Sequence, residues 1–304
     1  MQNTQTVGTG GASGDVRCLV CDGGPERSRL PGLLQCPACG FVTADVQMTE
    51  SELKALYGPD YFHGEEYGDY LLEEASLKEN FRERLDTLLR FSGAPAALTL
   101  FEIGCAYGFF LDVARERFAA VAGIDIAEDA VAHARNMLGL DAVAGDVMKH
   151  DFGTAPDVVC MWDVIEHLAR PDEVLGRVSE VVATGGLVAI TTGDIGSLNA
   201  RFRGKNWRMI HPPTHLHYFS QTTLGRLLDA KGFDVIHVEH PGVVRTIGQI
   251  CYGVLVLRQR MHGLYNALEN LPLMNRKISL NLFDIMFVIA RKRADGAAEG
   301  AVRS

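Results

Sequence analysis

From residue 98 to 192 the hydrophobic pattern keeps changing period, and this alternation constrains the fold more than any other feature of the chain. Short apolar runs of strand length lie near 98–103, 120–126, 141–144, 157–163 and 186–192. Between them, near 107–118, 127–138 and 171–183, apolar residues recur at helical spacing. Strand, helix, strand in repeated order means right-handed crossovers and a parallel sheet, a Rossmann-like doubly wound α/β architecture. A helix with Ser220 as its N-cap and Gly232 as its C-cap follows, then a strand near 233–239. Residues 243–270 look helical, and LNLFDIMFVIARKR at 281–293 reads as a last strand. Upstream, 72–91 has helical spacing, and Thr49 or Ser51 is placed to cap a short helix that stops at Gly58-Pro59.

The first strand–helix junction, LTLFEIGCAYGFFLDVARERF at 98–118, has the form of a ligand cradle. Gly104 permits a tight turn, and Gly108 lets a ligand approach the first helical turn, whose N–H groups favour an electron-rich group. A glycine pair alone also fits a plain turn. The acids that follow add weight. Asp125 ends the second strand, 21 residues after Gly104, where a carboxylate can accept from both ribose hydroxyls. Asp146 follows the third strand, within reach of an adenine amino group, and Asp163 ends the fourth. With Glu102, four acids thus stand at the carboxyl ends of four successive strands, where open α/β sheets bind ligands. A dinucleotide fingerprint requires G-x-G-x-x-G, and the second close glycine is missing here. Glu102 would also sit badly beside a pyrophosphate. It suits a cationic ligand without phosphates, such as S-adenosylmethionine (SAM), with its ammonium and sulfonium centres.

On these motifs residues 98–240 resemble the class I SAM-dependent methyltransferases. FEIGCAYGFFL matches the family's first motif, GIDIAEDAVAHAR the ribose motif, GDV the adenine motif and WDVIEHL the motif after the fourth strand. HLHYFSQTTLGRLLDAKGF is similar to the small-molecule subgroup that includes ubiquinone-biosynthesis O-methyltransferases. The resemblance implies that Glu102, Gly104, Cys105, Ala106 and Gly108 cradle the methionine part. It implies that Asp125 and Ile126 hold the ribose, Asp146 and Val147 the adenine, and that Asp163 closes the pocket beside the methionine tail. Ala106 stands where the family usually has Gly, a mild change that implies tighter packing without loss of binding. The family's last two strands form an antiparallel pair, here parted by the stretch near 243–270.

Cys18-x2-Cys21 and Cys36-x2-Cys39, 14 residues apart, offer four thiolates for a tetrahedral Zn²⁺, with iron as the minor alternative. A unit of about 30 residues is too small to fold on an apolar core, so a metal would hold it, and four Cys ligands leave no open position for catalysis. The unit resembles a zinc ribbon. The other three, Cys105, Cys160 and Cys251, read as buried core thiols. The aromatic and acidic stretch YFHGEEYGDY, 61–70, reads as a lid over the substrate.

Methyl transfer from a sulfonium is an in-line displacement in which positioning dominates. For a hydroxyl nucleophile His is the suitable base, and the candidates are His167, His215 and His217. His215 and His217 alternate and would share one face of an extended segment. No acid stands at ligand spacing beside them, which argues against a metal there. The basic run Arg201, Arg203, Lys205 and Arg208 follows the fifth strand and reads either as a solvated loop or as a grip on an anionic acceptor, such as a nucleotide-linked sugar or a carrier-linked acyl group. Trp207 and Tyr218 either stack on an acceptor ring or pack. O-methylation comes first, sugar C-methylation second. An NAD-linked oxidoreductase and a non-catalytic SAM-binding or partner-docking protein are the readings from other classes.

Composition bounds the rest. The 304 residues are 47% hydrophobic and 22% charged, with net charge −9, which argues against a whole-surface basic field for nucleic acid. No apolar run approaches the roughly 18–20 residues of a membrane span, and the first residues lack a secretory pattern. A cytoplasmic protein is expected, with an oligomer left open. The expected division is a disordered tail at 1–15, the Cys module at 16–45, a helical linker or lid at 46–97, the methyltransferase-like domain at 98–295 and a flexible tail at 296–304.

Overall fold

The computed structural model describes residues 6–8, 17–49 and 70–294. Most of the stretch read as a lid, residues 61–69, and the short helix expected to end at Gly58-Pro59 lie outside the described residues, as do most of the two terminal tails. Thr49 itself is in a strand.

The cysteine unit is a small antiparallel sheet. It is built of β2 (Glu26–Arg27), β3 (Leu33–Gln35) and β4 (Val42–Ala44), while β1 (Thr6–Gly8) pairs with β5 (Gln47–Thr49) in a separate two-stranded sheet. The outer edge of β4 is covered by two residues from far along the chain, His217–Tyr218 (β11). That pairing is tightened by the Ala44 N–H and the Thr43 hydroxyl, which both donate to the Leu216 carbonyl at 2.8 and 3.0 Å.

After α1 (Glu74–Ser92) the alternating region builds the main sheet. Its strands are β6 (Thr99–Ile103), β7 (Ala120–Asp125), β8 (Asp141–Ala144), β9 (Val158–Trp162) and β10 (Leu187–Gly193). The helices between them are α2 (Phe109–Ala114), α3 (Glu128–Asn136) and α4 (Pro171–Val181). Two antiparallel strands complete the sheet, β12 (Phe233–Glu239) and β15 (Ile285–Lys292), giving the order β12-β15-β10-β9-β6-β7-β8. The chain starts at the centre in β6, moves out to β8 and returns to β9, so the order reverses between β6 and β9. Their carboxyl ends lie side by side at this switch point.

Every residue of β9 and β10 is buried, because helices cover both faces. One face packs Phe81, Leu85 and Leu88 of α1 with Phe110 of α2 and Trp162. The other packs Leu175 of α4 and Leu228 of α6 (Gln221–Ala230) with Ile103 and Met161, and it also takes Cys18, Cys36 and Phe41 of the cysteine unit. The cysteine unit is therefore seated on the main sheet, and its own sheet is finished by that part of the chain. Between β10 and β11 lies the short α5 (Leu198–Arg203). Helix α6 starts with a reciprocal cap between Ser220 and Thr223 and is followed by Gly232 at φ 85°.

The stretch expected to be helical from 243 differs at its start. Val243–Thr246 form β13, paired with β14 (Lys277–Leu280). The β-branched run Val243, Val244 and Thr246 favours extended backbone, and Thr246 then caps α7 (Ile247–Cys251) through the Gln249 N–H. A wide-turned helical stretch, Tyr252–Arg258, and α8 (His262–Leu268) follow. Asn80 of α1 clamps the strand by exchanging two hydrogen bonds with the Val244 backbone, 2.7 and 3.1 Å. Cys105 and Cys160 are buried as expected, whereas Cys251 is only half-buried.

Gly108 and Gly139 separate two costs. Both have positive φ, 79° and 64°, but a Cβ on Gly108 would lie 2.6 Å from Leu140 Cδ1 and 2.9 Å from Ala134 Cβ, while one on Gly139 meets nothing within 4 Å. Left-handed backbone costs about 1–2 kcal/mol and overpacking about 1–3 more. At roughly 2–4 °C per kcal/mol, Gly108→Ala is expected to lower Tm by about 4–20 °C and Gly139→Ala by about 2–8 °C in a calorimetric melt, with the larger loss at Gly108.

Candidate functional site

The turn at the end of β6 is closed by its own amides. Gly104 and Cys105 both donate to the Ile124 carbonyl, at 2.8 and 3.1 Å. Gly104 sits at φ 76°, and a Cβ there would run into the Val164 side chain. The side-chain space of Gly108 is taken by Leu140 and by Ala134 of α3, so this glycine makes room for helix packing, a role the sequence reading did not anticipate. Ala106 is less mild than expected: it holds φ 44°, a left-handed conformation that a side chain disfavours. Its N–H donates to Asp125 Oδ2 at 2.8 Å, and Ala127 N–H donates to Oδ1 at 2.9 Å. Asp125 therefore pins the turn to β7, and each oxygen retains a second lone pair for a ligand hydroxyl.

Glu102 lies on the central strand between Gly123 of β7 and Cys160 of β9. It is 2% exposed, and its Oε2 has no hydrogen-bond partner. Burial, then the Asp125 charge, push its carboxyl well above the usual range. A buried carboxylate in this state is suited to a cationic ligand. At the rim, Ile126 is exposed and Asp146 accepts from Met148 N–H at 2.9 Å while pairing with Lys149 at 3.3 Å. The Val147 side chain is in the core, so only its backbone is available to a ligand.

Asp163, at φ 55°, takes a hydrogen bond on Oδ1 from the Thr191 hydroxyl at 2.9 Å. Its Oδ2 meets Arg84 Nη2 at 3.4 Å. The sequence reading missed Arg84. It projects from α1, buried, with its guanidinium over the rings of Phe81 and Trp162 at 5.6 and 5.7 Å. Its phase with Phe81, Leu85 and Leu88 on the inward face of that helix was the available signal.

The next residues of the same turn bring an imidazole cluster together. His167 and His215 have ring centroids 4.6 Å apart, and His211 and His215 are 3.8 Å apart. His167 Nδ1 donates to the Thr214 carbonyl at 2.8 Å and His215 Nδ1 to the Met209 carbonyl at 3.0 Å. Burial lowers all three, His167 to about 4, so they are neutral and weakly basic near pH 7. Beside them Glu166 is 2% exposed with Thr192 as its polar side-chain neighbour, and burial followed by the Asp163 charge pushes it up to about 8. The structure thus supplies the acid that the sequence spacing did not reveal.

His217 does not join this cluster. It is in β11, with Nδ1 3.2 Å from the Thr43 hydroxyl and its ring stacked on Phe41 at 5.7 Å. Its neighbour in the sequence pattern, His215, precedes the strand, so the two do not share one surface. Tyr218 is likewise withdrawn from any acceptor: it is 2% exposed, donates to the His215 carbonyl at 3.0 Å and packs with Leu33, Val42 and Trp207. Trp207 is buried and donates to Asp284 Oδ2 at 2.9 Å. Arg208 is bound to the same carboxylate at 2.9 Å, so its charge is already matched. Arg201 and Arg203 of α5 and Lys205 after it are exposed on the strand-end side of the sheet.

The four cysteines converge as the spacing implied. Their sulfurs all lie within 4.8 Å of one another, with Cys18–Cys39 at 3.4 Å and Cys21–Cys36 at 3.5 Å. A tetrahedron with metal–sulfur bonds of about 2.3 Å has edges of ~3.8 Å, so the sulfurs present fit a Zn²⁺.

A family model described as a methyltransferase domain matches residues 76–238. A ubiquinone biosynthesis O-methyltransferase of Leptothrix cholodnii is 25% identical over 117 residues, 36% of this chain and 50% of that protein. The chain thus spans about half the length of this curated relative. A SAM-dependent methyltransferase of Archaeoglobus fulgidus is similar at 21% identity and TM-score 0.49, covering 73% of this chain and 99% of that one. Magnesium protoporphyrin IX methyltransferase of Synechocystis, solved with bound SAH, is similar at 13% identity and TM-score 0.47, covering 74% and 88%.

The raised carboxyl of Glu102 has a measurable sign. The folded protein keeps a proton that the unfolded chain releases above its ordinary value near 4.5, so this group lowers stability as pH rises from there toward its folded value. In Glu102→Gln that loss is absent. Relative to the parent, the ligand-free variant is expected to match in Tm below about pH 4 and to gain as pH rises to 8. A parallel pH profile for the two proteins would show that Glu102 does not titrate this way.

Proposed function

The chain belongs to the methyltransferase-domain family, and from that premise we propose that it is a SAM-dependent methyltransferase that methylates a hydroxyl oxygen of a small, anionic or carrier-linked acceptor. The observation that carries the donor site is the buried Glu102 carboxyl, its Oε2 without a hydrogen-bond partner, beneath the Gly104 turn at the β6–β9 switch point. It suits the cationic methionine end of SAM and would repel the pyrophosphate of a dinucleotide.

Glu102 and the turn from Gly104 to Gly108 would face the methionine part, and Asp125 would accept from the ribose hydroxyls. Asp146 and the Val147 backbone would meet the adenine, and Asp163, oriented by Arg84 and Thr191, would close the methionine side. SAM, when bound, would supply a methyl carbon for in-line attack by the acceptor oxygen and leave as a neutral thioether, with the hydroxyl proton passing to water. His167 and His215 line the turn beside Asp163. Their weak basicity fits them to orient the acceptor oxygen rather than to carry off its proton. Arg201, Arg203 and Lys205 support an anionic group on the acceptor. The relative named for ubiquinone biosynthesis O-methylation supports oxygen as the methylated atom. The four cysteines are assigned to a structural Zn²⁺. No helix among the described residues is long and apolar enough to cross a membrane.

Calorimetric titration is expected to show SAM binding and no NADH binding, and the reverse result would overturn the donor assignment. Asp125→Ala is expected to weaken SAM at least about ten-fold, or 1.4 kcal/mol. It is also expected to lower Tm, because the Ala106 and Ala127 amides lose their acceptor. Unchanged affinity would remove Asp125 from the ribose site. Metal analysis of purified protein is expected to find zinc, and Cys36→Ser to release it with a loss of cooperative melting; full zinc retention in that variant would sink the Cys₄ assignment.

A further inference from the structure

We propose that the exposed face of α5 docks an acidic carrier protein, so that an acceptor tethered to that protein reaches the strand ends beside it; this rests on the methyl-acceptor reading above. The patch is apolar at its centre and basic around it. Leu198 and Phe202 are four residues apart, so they share one helix face, and they are 81% and 94% exposed. Phe283 is 65% exposed and precedes Asp284, the buried residue on which α5 is seated. Single exposed apolar residues need no explanation, but three together on one rim mark a contact surface.

The seat holds them outward. Asp284 accepts from Asn199 Nδ2 at 3.0 Å, Trp207 Nε1 at 2.9 Å and Arg208 Nη2 at 2.9 Å, and Ser197 caps the helix through the Ala200 N–H. Ala200 is buried on the inner face, which leaves Leu198 and Phe202 to solvent. Phe283 is fixed in its turn. Its N–H donates to Asn281 Oδ1 at 2.7 Å, and Asn281 Nδ2 donates to the His240 carbonyl at 2.7 Å. Its φ is 53°, a region that a bulky side chain disfavours.

Charge complementarity names the occupant. From residue 195 to 228 the chain has four Arg and one Lys and no Asp or Glu, although the protein as a whole carries −9. Arg201, Arg203 and Lys205 are exposed, and no ion pair among the described residues involves them; Arg203 bonds only to the neutral Asn199 Oδ1, at 2.9 Å. An extended anionic surface, such as a membrane, would also meet the acidic remainder of the protein and be repelled by it. One acidic helix would not. It is about 10–12 Å across, against roughly 9 Å for the length of α5. Such a helix lays its apolar side on Leu198, Phe202 and Phe283 and its carboxylates on the surrounding cations. The location fits a carrier. α5 follows β10, and β10 lies next to β9 in the sheet, so the docked partner stands beside the turn that bears Asp163. An acyl group on the carrier's pantetheine arm then enters from the rim, and the negative charge that the cations meet belongs to the carrier.

The test titrates full-length protein with a holo acyl carrier protein, which is acidic and bears a pantetheine thiol, and reads binding by fluorescence anisotropy. Micromolar affinity is expected, as for a small transient interface. It is expected to weaken at least about ten-fold between about 0.05 and 0.5 M salt. The double variant Arg201→Glu, Lys205→Glu is expected to weaken it at least about ten-fold, and Phe202→Ser at least about five-fold. All three positions are exposed, so both variants are expected to keep the parent Tm. Vesicles of phosphatidylcholine and phosphatidylglycerol are run in parallel. No binding of the carrier, or binding that neither variant weakens, overturns the proposal. Retention on the anionic vesicles without carrier binding also overturns it and assigns the patch to lipid. A SAM titration of the parent protein separates this from the donor reading. SAM binding without carrier binding ends the docking surface alone, whereas carrier binding lost in the variants, without SAM binding, leaves the docking surface and ends the donor assignment.

Discussion

β6 and β9 pair in parallel at the centre of the sheet, and the helices that follow them pack on opposite faces, α2 with α1 and α4 with α6. That divergence leaves the two strand ends side by side at the switch point, where open α/β sheets bind ligands. Every polar feature of the site is set by it. Glu102 is the second-last residue of β6, Asp163 the first after β9, and the turn carrying Glu166 and His167 continues from there. Asp125 enters from the neighbouring strand and ties the β6 turn in place with two amide hydrogen bonds. Without that tie the strained Ala106 would relax, since left-handed backbone costs about 1–2 kcal/mol and persists only where the surroundings compensate it.

The cysteine unit is bound to this centre in a way its position in the chain conceals. β11 adds His217–Tyr218 to the edge of β4, and the Leu216 carbonyl takes two bonds from the unit. The neighbouring amides of Leu216 and His217 bond instead to Glu166. One short strand therefore has the cysteine unit on one side and the turn after β9 on the other, with His215 immediately before it. A metal holding four sulfurs would then stiffen the imidazole cluster through backbone alone. The unit reads as a buttress of the acceptor side more than as an appended module.

The parts of the fold that were legible are those written in local pattern. The five strands from 98 to 192 and the helices between them appear where the period changes, because each is a buried run or a one-faced helix. The four acids were legible because strand ends in such a sheet converge. What was not legible depends on contacts across the chain. Two residues, His217 and Tyr218, cannot announce a strand, and they form one because β4 offers an open edge. The alternation of His215 and His217 was read correctly as pattern and wrongly as shared surface, since the strand begins between them. Gly108 has the spacing of a ligand-contacting glycine, yet its missing side chain is filled by Leu140 and Ala134. Glu166 stood in the quoted motif WDVIEHL, but its importance rests on being buried beside His215, 49 residues on, which no spacing rule anticipates.

Charge balance at the switch point explains why such a site takes cations. The Asp125 charge adds to the cost of ionising Glu102 on one side, and the Asp163 charge adds to that of Glu166 on the other. Among the described residues, Arg84 is the cation shown paired there, and it is shared with rings at 5.6 and 5.7 Å. A buried carboxylate at Glu102 can be kept as the neutral acid or matched by a positive charge; water cannot reach it to do either job. A ligand bringing an ammonium and a sulfonium would supply that positive charge and offset part of the electrostatic cost of burying the acid. An anionic cofactor would add to the repulsion instead. The same arrangement would suit a positively charged donor better than a dinucleotide.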